Sequence, residues 1–329
     1  MTSLSVYHAK PLKLDRVKTY PLKTRPSKVS VADFARPVRH GERISQWLDS
    51  LPHILAAESF RGVVRALENA RKKRKPIIWG LGGHVIKVGL GPILIDLIHR
   101  GYVTAVAMTG ATLIHDFEIA LVGATSEDVP AMLGEGQFGM AEETGRYIHQ
   151  SIAVGDQMQL GLGEAAGRFL SSSRAAKFRK YSILDRAYRG GVPVTVHEAI
   201  GTDIIHQHPA IDARALGAAT YRDFLLLAAL VEKMNGGGVY LNVGSAVVLP
   251  EVFLKCFSLA ANIGRAPQGI TTVNMDFIQH YRPLQNVVLR PTAAAHPQRQ
   301  TSRGYALTGH HEIMLPLISA VLGKGGQSR

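Results

Sequence analysis

The sequence holds a single cysteine, Cys256, in 329 residues. That excludes an internal disulfide. Cys256 lies in the apolar run VFLKCFSLAANIG, which predicts a buried structural thiol rather than a nucleophile. Long apolar runs are missing too. No stretch of about 18 consecutive apolar residues could cross a bilayer, so no membrane span is expected. The N-terminus lacks the apolar core of a secretion signal, and a cytoplasmic location is expected. Neither a Gly-x-Ser-x-Gly elbow nor a Cys/His pair at suggestive spacing supports acyl transfer.

Acidic residues are scarce: 25 Asp and Glu stand against 38 Lys and Arg, a net charge of +13. The imbalance is local. Residues 1–75 hold 17 basic and 6 acidic side chains, and the remainder 21 and 19. Residues 1–40, with Pro11, Pro21, Pro26 and Pro37, read as a basic extended arm. Its charge would suit nucleic acid or an anionic surface. It lacks the interleaved aromatics that stack bases, so packing on an acidic neighbouring subunit is the preferred reading. Residues 41–75 read as N-terminal helices, 43–56 and 59–71, with Ser59 as the second cap. The basic run 71–75 suits a solvated helix end.

What is present from residue 76 onward is an alternation of short β-rich runs with helical periodicity. Strands are expected near residues 77–79, 103–108, 192–196, 239–243 and 270–275. Helices are expected at 92–99, 113–122, 173–188, 221–234, 250–263 and 312–322. Residues 279–305 read as irregular, and 323–329 as a flexible tail. The pattern implies an α/β fold over residues 76–322: a doubly wound, mainly parallel, Rossmann-like sheet with a helical, basic N-terminal extension.

Three strand-ending loops carry the functional signal. Gly80-Leu81-Gly82-Gly83-His84 allows a ligand close to the backbone, because glycine has no Cβ. Thr109-Gly110-Ala111 and Gly244-Ser245-Ala246 offer N–H groups and a hydroxyl at helix N-termini, which suits a pyrophosphate or ribose. None of the three is a strict GxGxxG or Walker loop, but in register they favour a nucleotide site. The polar candidates beside them include Lys87, His115, Asp116, Glu118, His197, Glu198, Asp203, Glu251 and Asp276. The pair His206 and His208 has no assigned carboxylate beside it, and no metal site is expected.

The run GGHVIKVGLGPILIDLIHRGYVTAVAMTGATLIHDFEIAL, followed by GATSEDV, resembles the deoxyhypusine synthase family, especially its prokaryotic synthase-like branch. Weaker similarity extends through VPVTVHEAIGTDII and VYLNVGSAVVLPEV to ITTVNMDF, roughly residues 75–280. The resemblance implies NAD as cofactor, an amine or polyamine substrate, and a homotetramer with active sites shared between subunits. It also implies NAD contacts at Gly80, Gly83, His84, Gly89, Thr109, Gly110, Ala111, Gly244, Ser245 and Ala246. The family's catalytic lysine segment falls on Thr301-Ser302-Arg303-Gly304-Tyr305-Ala306, which has no lysine. Guanidinium stays protonated, so Arg303 cannot form an imine. The expected activity is therefore amine dehydrogenation or aminoalkyl transfer that does not yield deoxyhypusine. His115 or His197 would be the base, and Asp116, Glu198, Asp203, Glu251 and Asp276 the amine anchors. Two alternatives stay open: true synthase activity with Lys87 as surrogate lysine, and a non-catalytic nucleotide-binding scaffold.

Overall fold

The computed structural model describes Val6, Tyr7, Ala9 and residues 11–293 and 301–323. Six strands form one wholly parallel sheet: β1 (Ile77–Leu81), β2 (Ala105–Thr109), β3 (Val194–His197), β4 (Val239–Val243), β5 (Thr271–Asp276) and β6 (Arg303–Thr308). Their order is β3-β2-β1-β4-β5-β6. The winding direction reverses between β1 and β4, where Gly80 pairs with Asn242 and Leu81 with Val243. A crevice opens at such a reversal, outside the carboxyl ends of the strands.

Two apolar layers sandwich the sheet, as the period of two requires. Trp79, Leu81, Val106, Met108, Val196 and Leu241 face one cluster. It includes side chains of α2 (Leu55–Lys72), α4 (Gly91–His99), α5 (Gly110–Val122), α8 (Leu162–Ser172), α9 (Ile183–Arg189) and α13 (His311–Val321). Ile78, Ala105, Ala107 and Tyr240 face the other cluster, with α10 (Ala213–Glu232) and α11 (Val248–Asn262). Trp79 is fully buried, and its indole N–H donates to Tyr102 O at 2.9 Å. Cys256 is buried in the second layer, where burial pushes its thiol up to about 12.

Several local expectations are revised. The end of the segment read as irregular, 303–305, opens β6, which pairs with β5 from Arg303↔Thr271 to Thr308↔Asp276. It is reached through Tyr281–Pro283 (α12) and a π-helical turn, Leu284–Leu289. Ser59 lies inside α2 and caps nothing, since the helix starts four residues earlier. The helix expected over 173–188 is broken: Ser173 ends α8, and α9 starts only after Ser182, whose hydroxyl accepts from Asp185 N. Gly80 does not end β1 but lies within it. A Cβ there would come 2.6 Å from the Tyr240 hydroxyl, so this glycine makes room for a core ring rather than a ligand.

Residues 11–41 have little internal structure and are nearly all exposed. Short helices α1 (Ile44–Ser50), α3 (His84–Lys87), α6 (Val129–Leu133) and the longer α7 (Glu142–Gln157) complete the elements used below. Masses of α5, α6 and α7 stand over the carboxyl ends of β2 and β3, and the site lies among them.

Candidate active site

Thr109 ends β2 and caps α5, its hydroxyl accepting from Thr112 N at 3.2 Å. That turn fixes the first two turns of α5 and so places His115. The ring Nδ1 lies 2.7 Å from the Thr125 hydroxyl oxygen, and the Thr125 hydroxyl donates to Glu118 Oε2 at 2.5 Å. Because that proton is committed to Glu118, the Thr125 oxygen must accept from His115. The ring therefore carries its proton on Nδ1 and keeps the Nε2 lone pair free. Thr144 of α7 donates to the other Glu118 oxygen at 3.0 Å. Burial pushes the Glu118 carboxyl up, but His115, Thr125 and Thr144 outweigh it and hold it below its ordinary value. A carboxylate, a hydroxyl and an imidazole in series orient a base as a triad does.

His115 lines a cavity of about 160 Å³ together with Lys87, Glu118, Glu127, Ser126 and Asp203. Five of the residues expected from the sequence thus converge: Lys87 from α3, Ala111, His115 and Glu118 from α5, and Asp203 from the loop after β3. Three carboxylates against one lysine give the cavity a field that favours a cation.

Behind Asp203 lies Glu198. A Cβ on Gly110 would come 2.3 Å from both Asp203 Oδ2 and Glu198 Oε2, so the two acids rest directly on the N-terminus of α5. Burial, then the neighbouring Asp203 carboxylate, push Glu198 well above the usual range. Their position corrects one expectation. With both acid side chains packed on Gly110, the Thr109-Gly110-Ala111 turn presents no open helix end to a pyrophosphate. Glu198, Asp203 and His206 bring donor atoms within 4.8 Å of one another. However, His206 Nδ1 accepts from the N–H groups of Gly201 and Asp203, each at 3.3 Å. The proton is then on Nε2, the nitrogen facing Glu198 at 3.7 Å. A protonated nitrogen cannot ligate a metal.

The other half of the sheet presents a different surface. Gly244 turns at φ +72°, and a Cβ there would come 2.9 Å from the His311 ring. The Gly82 Cβ position falls 2.0 Å from Gly244 O, so the loops after β1 and β4 touch through bare backbone. The Ser245 hydroxyl, two residues before the Val247 N-cap of α11, accepts from Leu249 N in its first turn at 3.2 Å. Phe277 packs 5.6 Å from His84, 5.9 Å from His310 and 5.9 Å from His311 between ring centres. Asp276 Oδ1 accepts from Phe277 N at 2.8 Å and lies 3.8 Å from His311 Nε2.

Four further expectations are corrected by these positions. Asp116 is fully buried and accepts from the Ser182 hydroxyl (2.6 Å), Ile183 N (2.8 Å) and Leu184 N (3.0 Å), so it caps α9 and is closed to substrate. Glu251 is taken by Lys255 (2.7 Å), Arg282 (2.6 Å) and Asn286 (2.9 Å) on α11. His197 shares a hydrogen bond with the Thr195 hydroxyl at 3.0 Å, and burial depresses it to about 4, too low for a base near neutrality. Asp276 stands on β5, three strands from β2, which separates it by about 14 Å from a site over α5. Gly89 turns between α3 and α4 at φ +76° with open space around it. Sequence reasoning left out Thr125, Thr144 and Glu127. GATSEDV contains Thr125 and Glu127, yet no spacing rule predicts that a hydroxyl ten residues after His115 and seven after Glu118 bridges the two.

No protein-family model matches the sequence, and no curated protein matches it. Solved structures match in fold. A candidate deoxyhypusine synthase from Entamoeba histolytica superposes with a TM-score of 0.50 at 11% identity, over 85% of this chain and 93% of that one. The fold is Rossmann-like. Two looser likenesses are the ternary complex of AgrE with ornithine and NAD+ and the arginine dihydrolase ArgZ of the cyanobacterial ornithine–ammonia cycle. They give TM-scores of 0.49 and 0.47 at 15% identity, over 87% and 89% of this chain. The chain spans about a third of the length of either, 34% in both cases.

Proposed function

We propose that the protein is an enzyme that oxidises a cationic amine with NAD as the hydride acceptor, and that it does not make deoxyhypusine. The observation that carries this reading is the cavity in which His115, with its free Nε2, faces Asp203 and Glu127. Asp203 would receive the substrate ammonium. His115 Nε2 would take the ammonium proton, leaving a nitrogen lone pair to expel hydride from the adjacent carbon and form an iminium. NAD supplies the acceptor for that hydride when bound. The residues suited to holding it are Gly244, Ser245 and Ala246 at the N-terminus of α11, with His84 and Phe277 offering flat faces nearby. The α5 half does not suit its phosphates, for the reason given above. The resemblance in sequence supports the same cofactor, and with it a homotetramer.

The reading is tested by ligand-induced thermal shift of the full chain. NAD+ alone and an amine alone should each raise the melting temperature, as ligands that bind only the folded state do. No shift with NAD+ at millimolar concentration removes the cofactor; no shift with any amine removes the substrate class.

A second reading rests on Lys87, whose side chain enters the same cavity. An amine there could add to the iminium carbon, expel the substrate's original nitrogen as a free amine and hold the aminoalkyl group as a new iminium on Lys87. Borohydride reduction in the presence of NAD+ and spermidine should then add mass to the wild type and none to Lys87→Ala. Equal labelling of the two excludes Lys87.

A further inference from the structure

A second, larger cavity of about 1170 Å³ runs between α5, α6 and α7 and meets the small one. Glu118, Ser126 and Glu127 line both. Beyond that junction the walls are apolar: Leu121 and Val122 of α5, Met132 of α6, Met140, Tyr147 of α7 and Phe178. At the junction itself, Glu118 has both oxygens occupied by Thr125 and Thr144. Glu127 does not. Its Oε2 accepts from Gly139 N at 3.0 Å, while Oε1 is buried with no hydrogen-bond partner among the described residues. A buried carboxylate oxygen without a donor is costly, and a ligand N–H would relieve it.

The distribution of charge along the groove decides what else the ligand carries. Glu143 and Lys177, both exposed, line the same groove. A second ammonium on the ligand would lose solvation among the apolar side chains and gain little from an exposed carboxylate that shares the groove with a lysine.

We propose that the groove holds the body of the substrate, and that the substrate is a monoamine with a large apolar body whose ammonium meets Glu127 at the junction. This rests on the amine reading above and narrows it. Asp203 and His115 then meet the same ammonium from the small cavity, Asp203 as a second acceptor and His115 Nε2 as the base for its proton. The groove disfavours polyamines because its other carboxylates are poorly placed for an ammonium: Glu118 is already held by Thr125 and Thr144, and Glu143 is exposed.

The experiment is calorimetric titration of the full chain with straight-chain alkylamines from butylamine to decylamine, with putrescine and spermidine alongside. Affinity should rise about fourfold per methylene, the effect of burying a CH₂ group. Ala124→Trp, an exposed substitution that fills the groove from the loop, should flatten that rise. Glu127→Gln should weaken every member about tenfold or more, as the loss of a charged hydrogen bond does. A flat series, or diamines that bind more tightly than monoamines of equal length, overturns this inference and spares the amine reading. Failure of every amine overturns both. A Glu127→Gln protein that melts like the wild type and binds the series unchanged removes Glu127 as the ammonium partner.

Discussion

His115→Ala should lower amine turnover by about 10²–10⁴-fold, the contribution of a positioned general base, while the protein stays folded. The ring is lightly exposed at a cavity wall, with 13% of its side-chain surface accessible, so its loss opens little core. Glu118→Gln should cost less, about 10–100-fold, because it removes only the group that fixes the ring. A glutamine can present its amide N–H to Thr125, which would then turn its hydroxyl proton toward His115 and force the Nε2–H tautomer. Lost orientation and lost basicity would therefore appear together in Glu118→Gln as a flattened pH profile, and Thr125→Val should reproduce it without any change of charge. Equal turnover in wild type and His115→Ala would show that no proton passes through this ring.

Asp116→Ala should destabilise the fold by about 4 kcal/mol at pH 5, from one lost cap and two buried N–H groups left without acceptors. The Ile183 and Leu184 N–H groups are the first donors of α9, and Asp116 is their acceptor from another helix. Asp223 does the same for α8, accepting from Gly163 N at 2.9 Å, and also accepts from Val196 N of β3 at 2.8 Å. Burial raises both carboxyls, Asp116 to about 6 and Asp223 to about 7. The sign follows from linkage. Each acid holds its proton more tightly folded than unfolded, so its protonated form stabilises the fold fully below about pH 4. That stability is lost as the pH rises through the folded values. The wild type should therefore lose stability between about pH 4 and pH 7, and the cost of Asp116→Ala should shrink over the same range. Denaturant melts at pH 5 and pH 7 measure both. A cost that grows toward pH 7 would mean that Asp116 is ionised more readily in the fold than out of it.

The sheet was legible because its strands are apolar on both faces, as buried parallel strands are, and because β1, β2 and β4 run into Gly82, Gly110 and Gly244. β6 was not. As an edge strand it is exposed at Arg303 and Thr308, and it contains Gly304, a residue that weakens strand propensity. Gly304 is required there because a Cβ would come 2.1 Å from Val288 O of the π-helical turn. That contact is tertiary and leaves no periodic trace. Lys87, His115 and Asp203 were legible as site residues because each follows a strand on the ligand-binding edge. Asp116 follows the same strand, yet one position along a helix rotates a side chain by about 100°, from the cavity to the α9 terminus. Gly110 looked like a phosphate turn. Only the fold shows Glu198 and Asp203 from a distant loop resting on it. Glu251 carried the right charge, but its neighbours Lys255, Arg282 and Asn286 neutralise it on the surface.

The central claim is that the cavity over α5 is an amine-oxidising site served by His115. Its most direct test is the initial rate of NADH formation when the purified full chain is given NAD+ and a long-chain alkylamine, with His115→Ala run in parallel at equal concentration. Amine-dependent NADH formation by the wild type, reduced at least 100-fold in the variant, is the predicted result. NADH formation that is the same in both proteins, or absent from the wild type while NAD+ and the amine both bind, would contradict it.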